Sequence, residues 1–339
     1  MSLAGYVLEY PIPAATRHQI AHTLWDSEGD DTLGSYFQYY TEQCRIVLYA
    51  HGWYMRKKCH QEIVDIAQKL RADLCREEIQ VQLLANVHKP TSIASGQQEV
   101  EANVTSDGAI DLAVRLLLML DVGELPNTLS GRRQLVWDNG RPLKDFVRDT
   151  FPEKVTLGHD GVRLGPEFTA RNLDRMTGFR VELTTNLADH LRFRHDDKTV
   201  SIFYHASFLR LERKSKTSLF PDGFVEETLR TIALLFPSNR DTEKWYYKQL
   251  DLSQLDPGAL KCGHFEDESR RIETYRFWHD RLVVLKQEFD ESPPTNLTQL
   301  WNDRRLGSQW YALWVAIGIT LFFGLVQSIE GAIQVYKAY

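Results

Sequence analysis

The sequence predicts an α+β chain, mainly helical, with a helical N-terminal part, a small winged-helix-like α+β module and a single C-terminal transmembrane helix. Three observations carry this reading. Apolar residues recur at spacings of three and four through much of the chain, as they do on the buried face of a helix. Short runs between residues 180 and 205 alternate apolar and polar instead, which is the period of a strand. Residues 306–329, 24 positions, carry no charge; at about 1.5 Å per residue they cover a hydrocarbon core of roughly 30 Å.

Composition sets the frame for the elements. With 339 residues, 43% hydrophobic and 25% charged, the chain has the make-up of one large or two small globular domains. Forty basic against 46 acidic residues give a net charge of −6, which argues against a general nucleic-acid binder. Four cysteines form no CxxC pair, and the opening residues lack the basic and apolar regions of a secretory signal. Reduced, structural thiols are expected.

Residues 1–125 read as mostly helical. Leu33, Tyr36, Phe37, Tyr40, Cys44 and Val47 share one face, as do Ile63, Ile66, Ala67, Leu70 and Leu74. Residues 107–121 are apolar on nearly every side and predict a buried central helix. The polar, Ser- and Gly-bearing residues 88–108 before it predict a loop.

Residues 130–262 form the α+β module and the helices after it. RQLVW is an expected strand running into the Asp138-Asn139-Gly140 turn, and Pro142 then opens a helix over PLKDFVRDTF as its N1 residue. VTLGHDGVRL predicts a hairpin about Asp160-Gly161. FTARNLDRMTG is a helix stopped by Gly178. FRVELT and TVSIFYH are strands flanking a short helix over NLADHLRF, and FVEETLRTIALLF returns to helix.

Residues 264–290 predict an amphipathic helix whose seam is Tyr275, Trp278, Leu282, Leu285 and Phe289. Two heptads are too short for a free coiled coil, so packing on the domain is expected. Pro293 and Pro294 start a hinge over residues 291–305. Residues 306–329 are the span, and 330–339 a short tail.

The span has interfacial rings at one end (Trp310, Tyr311, Trp314) and beyond the other (Tyr336, Tyr339), the placement of an aromatic belt. Arg304 and Arg305 precede it and Lys337 follows, so the positive-inside rule keeps the N-terminal side cytosolic. The expected topology is a tail anchor in the endoplasmic reticulum or another endomembrane, with the bulk of the chain cytosolic. The sequons at Asn103 and Asn296 would then escape glycosylation.

The same region resembles the C-terminal segment of a large group of uncharacterised fungal proteins. The resemblance rests on Asp303, Arg304 and Arg305, then Gln309, Trp310 and Tyr311, then residues 327–331 after the apolar run. Residues 168–209 resemble the same group. It implies the membrane topology and brings no established activity.

No nucleotide, zinc-protease, hydrolase or EF-hand motif occurs. The densest constellation is DHLRFRHDD, where His190, His195, Asp196 and Asp197 could supply imidazole and carboxylate for acid–base or metal chemistry. The competing reading is a core histidine followed by a solvated turn. Cys59, His60, Cys262 and His264 could together offer four zinc ligands, but they lack the paired knuckle spacing. The basic runs at residues 55–58 and 210–216 could touch anionic headgroups or simply be solvated. Ala316, Thr320 and Gly324 present small side chains every fourth residue, a helix-association pattern.

These features give a tail-anchored interaction or scaffold protein with no cofactor. Its partners would be membrane lipid and a protein partner or second copy met through the span. A membrane-tethered enzyme using the 190–197 region is the rival. A membrane-associated nucleic-acid-binding regulator is the third reading, which the acidic balance disfavours.

Overall fold

The N-terminal helices are organised around the apolar run at residues 109–118. A computed structural model describes residues 3, 11–26, 33–50, 59–85, 96–123, 135–153, 155–158, 162–251, 254–262, 270–294, 297–302 and 307–338. Within these, α1 (Ala14–Trp25), α2 (Gly34–Ala50), α3 (His60–Arg71) and α4 (Arg76–Ala85) precede α5 (Gly96–Leu118). Ile110, Leu112, Ala113, Val114 and residues 116–118 of α5 are fully buried. Helices α2, α3 and α4 pack on it, so the expected central helix is present.

The loop expected over residues 88–108 is corrected from residue 96 onward, where α5 begins. Once the buried half of a helix is formed, each residue added upstream gains a hydrogen bond without a new nucleation cost. A polar stretch therefore becomes helical by attachment. The other end of α5 stops at Met119, which takes the left-handed conformation at φ 50°.

The middle of the chain contains α6 (Leu143–Thr150), α7 (Ala170–Thr177) and strands β1 (Arg180–Thr184), β2 (Arg192–Arg194) and β3 (Thr199–Phe203). α7 ends at the glycine expected to stop it, and it starts after a capping threonine. Thr169 Oγ1 accepts the Asn172 amide, and Gly178 closes the helix at φ 71°. The sheet order is β1-β3-β2, with β3 parallel to β1 and antiparallel to β2.

This topology does not support the winged-helix expectation. A helix-turn-helix needs a turn of about three or four residues, whereas residues 151–169 separate α6 from α7. The helix expected over NLADHLRF is instead a 3-10 turn, Leu187–Asp189, followed by β2. Asn186 caps the turn by accepting the Ala188 amide, and Leu191 at φ 60° ends it. Among the described residues of RQLVW, 135–137, the strand is reduced to one bridge, Val122 to Leu135. Pro142 is the N-cap of α6 rather than its first residue. The Asp-Gly turn of the expected hairpin lies outside the described residues, while Arg163 beside it bridges to Arg271.

Helices α8 (Ala206–Lys214), α9 (Phe224–Leu235), α10 (Arg240–Tyr246) and α11 (His279–Glu291) complete the domain. The five seam residues from Tyr275 to Phe289 are all buried, so α11 packs on the domain as expected. It starts later than residue 264 because Glu227 accepts the amides of Arg276, Phe277 and Trp278 at 2.8, 2.9 and 2.8 Å. Those three amides are held outside the helix.

The hinge contains a short helix, α12 (Leu297–Asn302), which packs on α7. α13 then runs Gly307–Ala338 without a break, so the residues expected as a tail through Ala338 are helical.

Candidate functional site

The most distinctive surface is α13. Of the eighteen exposed large apolar side chains among the described residues, twelve lie on this helix, including Leu321 (68% exposed) and Phe322 (65%). The other six are scattered from Val81 to Trp301, while the remaining large apolar side chains of the domain are buried or partly buried. Within Trp310–Lys337 the most apolar stretch of 18 residues has a mean hydropathy of 2.0, and none of it is buried. It is the one helix among the described residues long and apolar enough to cross a membrane. Thr320 and Ser328 donate their hydroxyls to the carbonyls of Ala316 and Gly324 at 2.8 Å each. Their polar atoms are thereby satisfied within the helix, as a lipid environment demands.

A tryptophan cluster joins this helix to the domain. Trp301 of α12 meets Trp314 at 4.7 Å and Trp310 at 5.6 Å between ring centroids, both edge to face. The Trp310 indole N–H reaches the carbonyls of Leu300 and Trp301, each at 3.2 Å. Tyr311 stacks edge-on against Trp310 at 5.0 Å. Sequence reasoning placed Trp310, Tyr311 and Trp314 but missed Trp301; its distance of nine residues from Trp310, across Asp303-Arg304-Arg305, was the available signal. Arg304 and Arg305 themselves lie outside the described residues.

The 190–197 constellation is divided between the interior and the surface. His190 is fully buried. Its Nδ1 accepts the Phe203 amide at 3.1 Å, which requires the proton to sit on Nε2. Nε2 therefore donates to Thr231 Oγ1 at 2.7 Å, and that hydroxyl donates onward to the Thr228 carbonyl at 2.6 Å. Burial, and then the Arg281 guanidinium, hold the imidazole well below its usual pKa. Arg281 clamps the same turn by donating to the carbonyls of Ala188 and His190 at 2.8 and 2.6 Å. Both nitrogens of His190 are committed to the fold.

His195 is exposed, with Nδ1 3.4 Å from Glu288 Oε1 and its ring edge-on to Phe193. Asp196 is exposed. Asp197 pairs with Arg194 at 3.3 Å and caps the Thr199 amide at 3.2 Å. The Arg194 hydrogen bond draws its carboxyl below the ordinary value. The segment is thus a core histidine followed by a polar turn that closes β2 on β3.

The thiol–imidazole set is also accounted for individually. Cys59 is buried, and His60 places Nδ1 3.0 Å from Tyr40 Oη. Burial pushes the His60 imidazole down to about 4. Cys262 donates to the Gly258 carbonyl at 3.5 Å, and burial pushes its thiol up to about 12. His264 lies outside the described residues. Among those described, no three His, Cys, Asp or Glu side chains gather as a metal would require. Of the two basic runs, residues 55–58 lie outside the description, while Arg210 in the second donates to the carbonyls of Gly258 and Lys261.

One group of polar residues has no sequence motif. Asp256 accepts the Ser207 amide and hydroxyl at 2.6 and 2.8 Å and the Gly258 amide at 2.7 Å. Burial raises its carboxyl pKa against these bonds. His205, two residues from Ser207, is buried among Tyr39, Phe203 and Tyr204, with no hydrogen-bond partner on either nitrogen. The Ser207 hydroxyl is spent on Asp256 directly, so no Ser–His–Asp relay forms.

The chain matches no protein-family model, no curated protein and no solved structure.

Proposed function

We propose that the chain is a tail-anchored, single-pass membrane protein that presents an interaction domain to the cytosolic face of an endomembrane, with α13 as its anchor. The observation that carries this reading is the contrast between α13, apolar and exposed along its length, and a domain that buries its apolar residues. The ten Leu, Ile, Val and Phe residues between positions 310 and 329 each favour insertion by about 0.3–0.6 kcal/mol, together roughly 3–6 kcal/mol. The internally bonded hydroxyls of Thr320 and Ser328 add no stranded polar group.

Orientation rests on Arg304 and Arg305 before the span against Lys337 near its far end. The role of the domain is binding rather than catalysis, because the imidazole best placed in sequence, His190, spends both nitrogens on the fold. The tryptophan cluster supports a domain held close to the bilayer, since α12 contacts both α7 and the first turns of α13.

A glycosylation tag appended after Tyr339 tests this topology. The tag is expected to be modified while Asn103 and Asn296 stay unmodified. Modification of Asn296 with an unmodified tag would reverse the orientation.

A further inference from the structure

Two adjoining clefts open beside the bridge between Arg163 and Arg271, one of about 1070 Å³ and one of about 500 Å³, sharing Pro166 and Arg270 in their walls. Their lining reverses the sign of the protein. On a chain of net charge −6, the two clefts bring together Arg163, Arg171, Arg240, Arg270, Arg271 and Lys286. Among the described residues, three acids, Glu167, Glu273 and Asp241, line the same surface.

Several of these cations already have work. Arg270 donates to the Leu164 carbonyl at 3.1 Å, Lys286 pairs with Asp290, and Arg171 meets Asp241 at 3.2 Å. Arg163, Arg271 and Arg240 are exposed, and among the described residues none has an ion-pair partner. Arg163 and Arg271 also stand directly opposite each other in an antiparallel bridge. That arrangement sets Cβ atoms roughly 4.5–5.5 Å apart on one face, where like charges repel. A pair of facing guanidinium groups at a cleft mouth is costly when empty and well formed for a shared phosphate, which accepts bidentate donors from both.

We propose that the joined clefts bind a polyphosphorylated anion, with Arg163 and Arg271 sharing one phosphate and Arg240 available to a second in the adjoining cleft. The chemistry fits the phosphorylated headgroup of a membrane lipid or a soluble phosphorylated polyol. Position favours the headgroup. Arg171 lies in the first turn of α7, a helix of eight residues and so about 12 Å long. The other end of α7 meets α12 where Gly178 lies against Gln299, and α12 leads to the span. The lipid source rests on the anchored topology proposed above; the anion site does not.

The test uses the full chain in neutral detergent micelles, titrated calorimetrically with dioctanoyl phosphatidylinositol bisphosphate and, separately, with inositol trisphosphate. Saturable binding that weakens as salt is raised is expected. Arg163→Ser with Arg271→Ser should weaken it by about tenfold or more, and Arg240→Ser by a smaller factor. Lys144→Ser, an exposed change on α6, should leave it unaltered. Tighter binding of the lipid supports the site and assigns the headgroup as its source; equal binding supports the site and assigns the soluble anion. Removing the facing charges should leave the melting temperature at or above wild type, which separates lost binding from lost folding. No saturable binding by wild type overturns the proposal, as does binding that survives in the double variant. Either failure leaves the anchor untouched, since carbonate extraction reads the anchor independently.

Discussion

Replacing His205 by Phe should remove a measurable part of the protein's acid sensitivity. His205 is buried, its two nitrogens have no partner, and burial pushes its pKa down to about 3 from 6.5. Below pH 6.5 the unfolded chain takes up a proton that the native imidazole refuses. The native state is therefore at full advantage above about 6.5 and loses it as pH falls, down to about 3. At pH 5.0 the gap is about 1.5 units, and at 1.36 kcal/mol per unit this single residue costs about 2 kcal/mol relative to pH 7.5. Phenylalanine keeps a ring among Tyr39, Phe203 and Tyr204 and has no proton to refuse. It also removes two unsatisfied buried nitrogens, worth about 1 kcal/mol or more at any pH. Thermal melts of the full chain in detergent, followed by tryptophan fluorescence at pH 7.5 and 5.0, measure both effects. The variant's advantage over wild type should grow by roughly 3–4 °C between the two pH values. An advantage that stays constant with pH would refute the reasoning, because His205 would then not be a neutral buried group.

Other perturbations follow from the same geometry. Glu227→Gln leaves one acceptor oxygen for the three amides before α11, and should cost about 3 kcal/mol in melts at neutral pH; a loss under 1 kcal/mol would mean the carboxylate is not what holds those amides. Trp301→Ala removes the ring that meets Trp310 and Trp314, and should speed tryptic cleavage after Arg304 and Arg305 in membrane-bound protein; an unchanged cleavage rate would count against the cluster as a clasp. Gly324→Ile should reduce cross-linking between copies, or to a helix partner, if Ala316, Thr320 and Gly324 form a close-packing face; the same cross-linked fraction as wild type would reduce that stripe to composition.

What was legible in the sequence was whatever is decided locally. Gly178 marks the end of α7 because a left-handed glycine acts within one turn. The alternation in FRVEL and TVSIF reports β1 and β3 because each side chain's face is set by the strand period. The uncharged run from 306 to 329 reports α13 in the same way. What was not legible depends on partners distant in sequence. The first turns of α5 are helical by attachment to a buried continuation, and the start of α11 is set by Glu227, about fifty residues upstream. The winged-helix expectation failed because element types do not fix strand order, and β1 lies parallel to β3. For the candidate site, sequence brought His190 and His195 within five positions, but burial separated them: one is locked in the core and the other faces solvent.

Carbonate extraction tests the central claim most directly. Membranes from cells expressing the full chain, and from cells expressing a chain ended after Asn302, are washed at alkaline pH and separated into pellet and supernatant. The full chain should remain wholly in the pellet, because the α13 side chains between Trp310 and Ile329 exchange water for hydrocarbon. The shortened chain should leave with the supernatant and keep a cooperative thermal melt, because the buried core residues all precede position 290. A full chain released by carbonate, or a shortened chain retained in the pellet, would contradict the account.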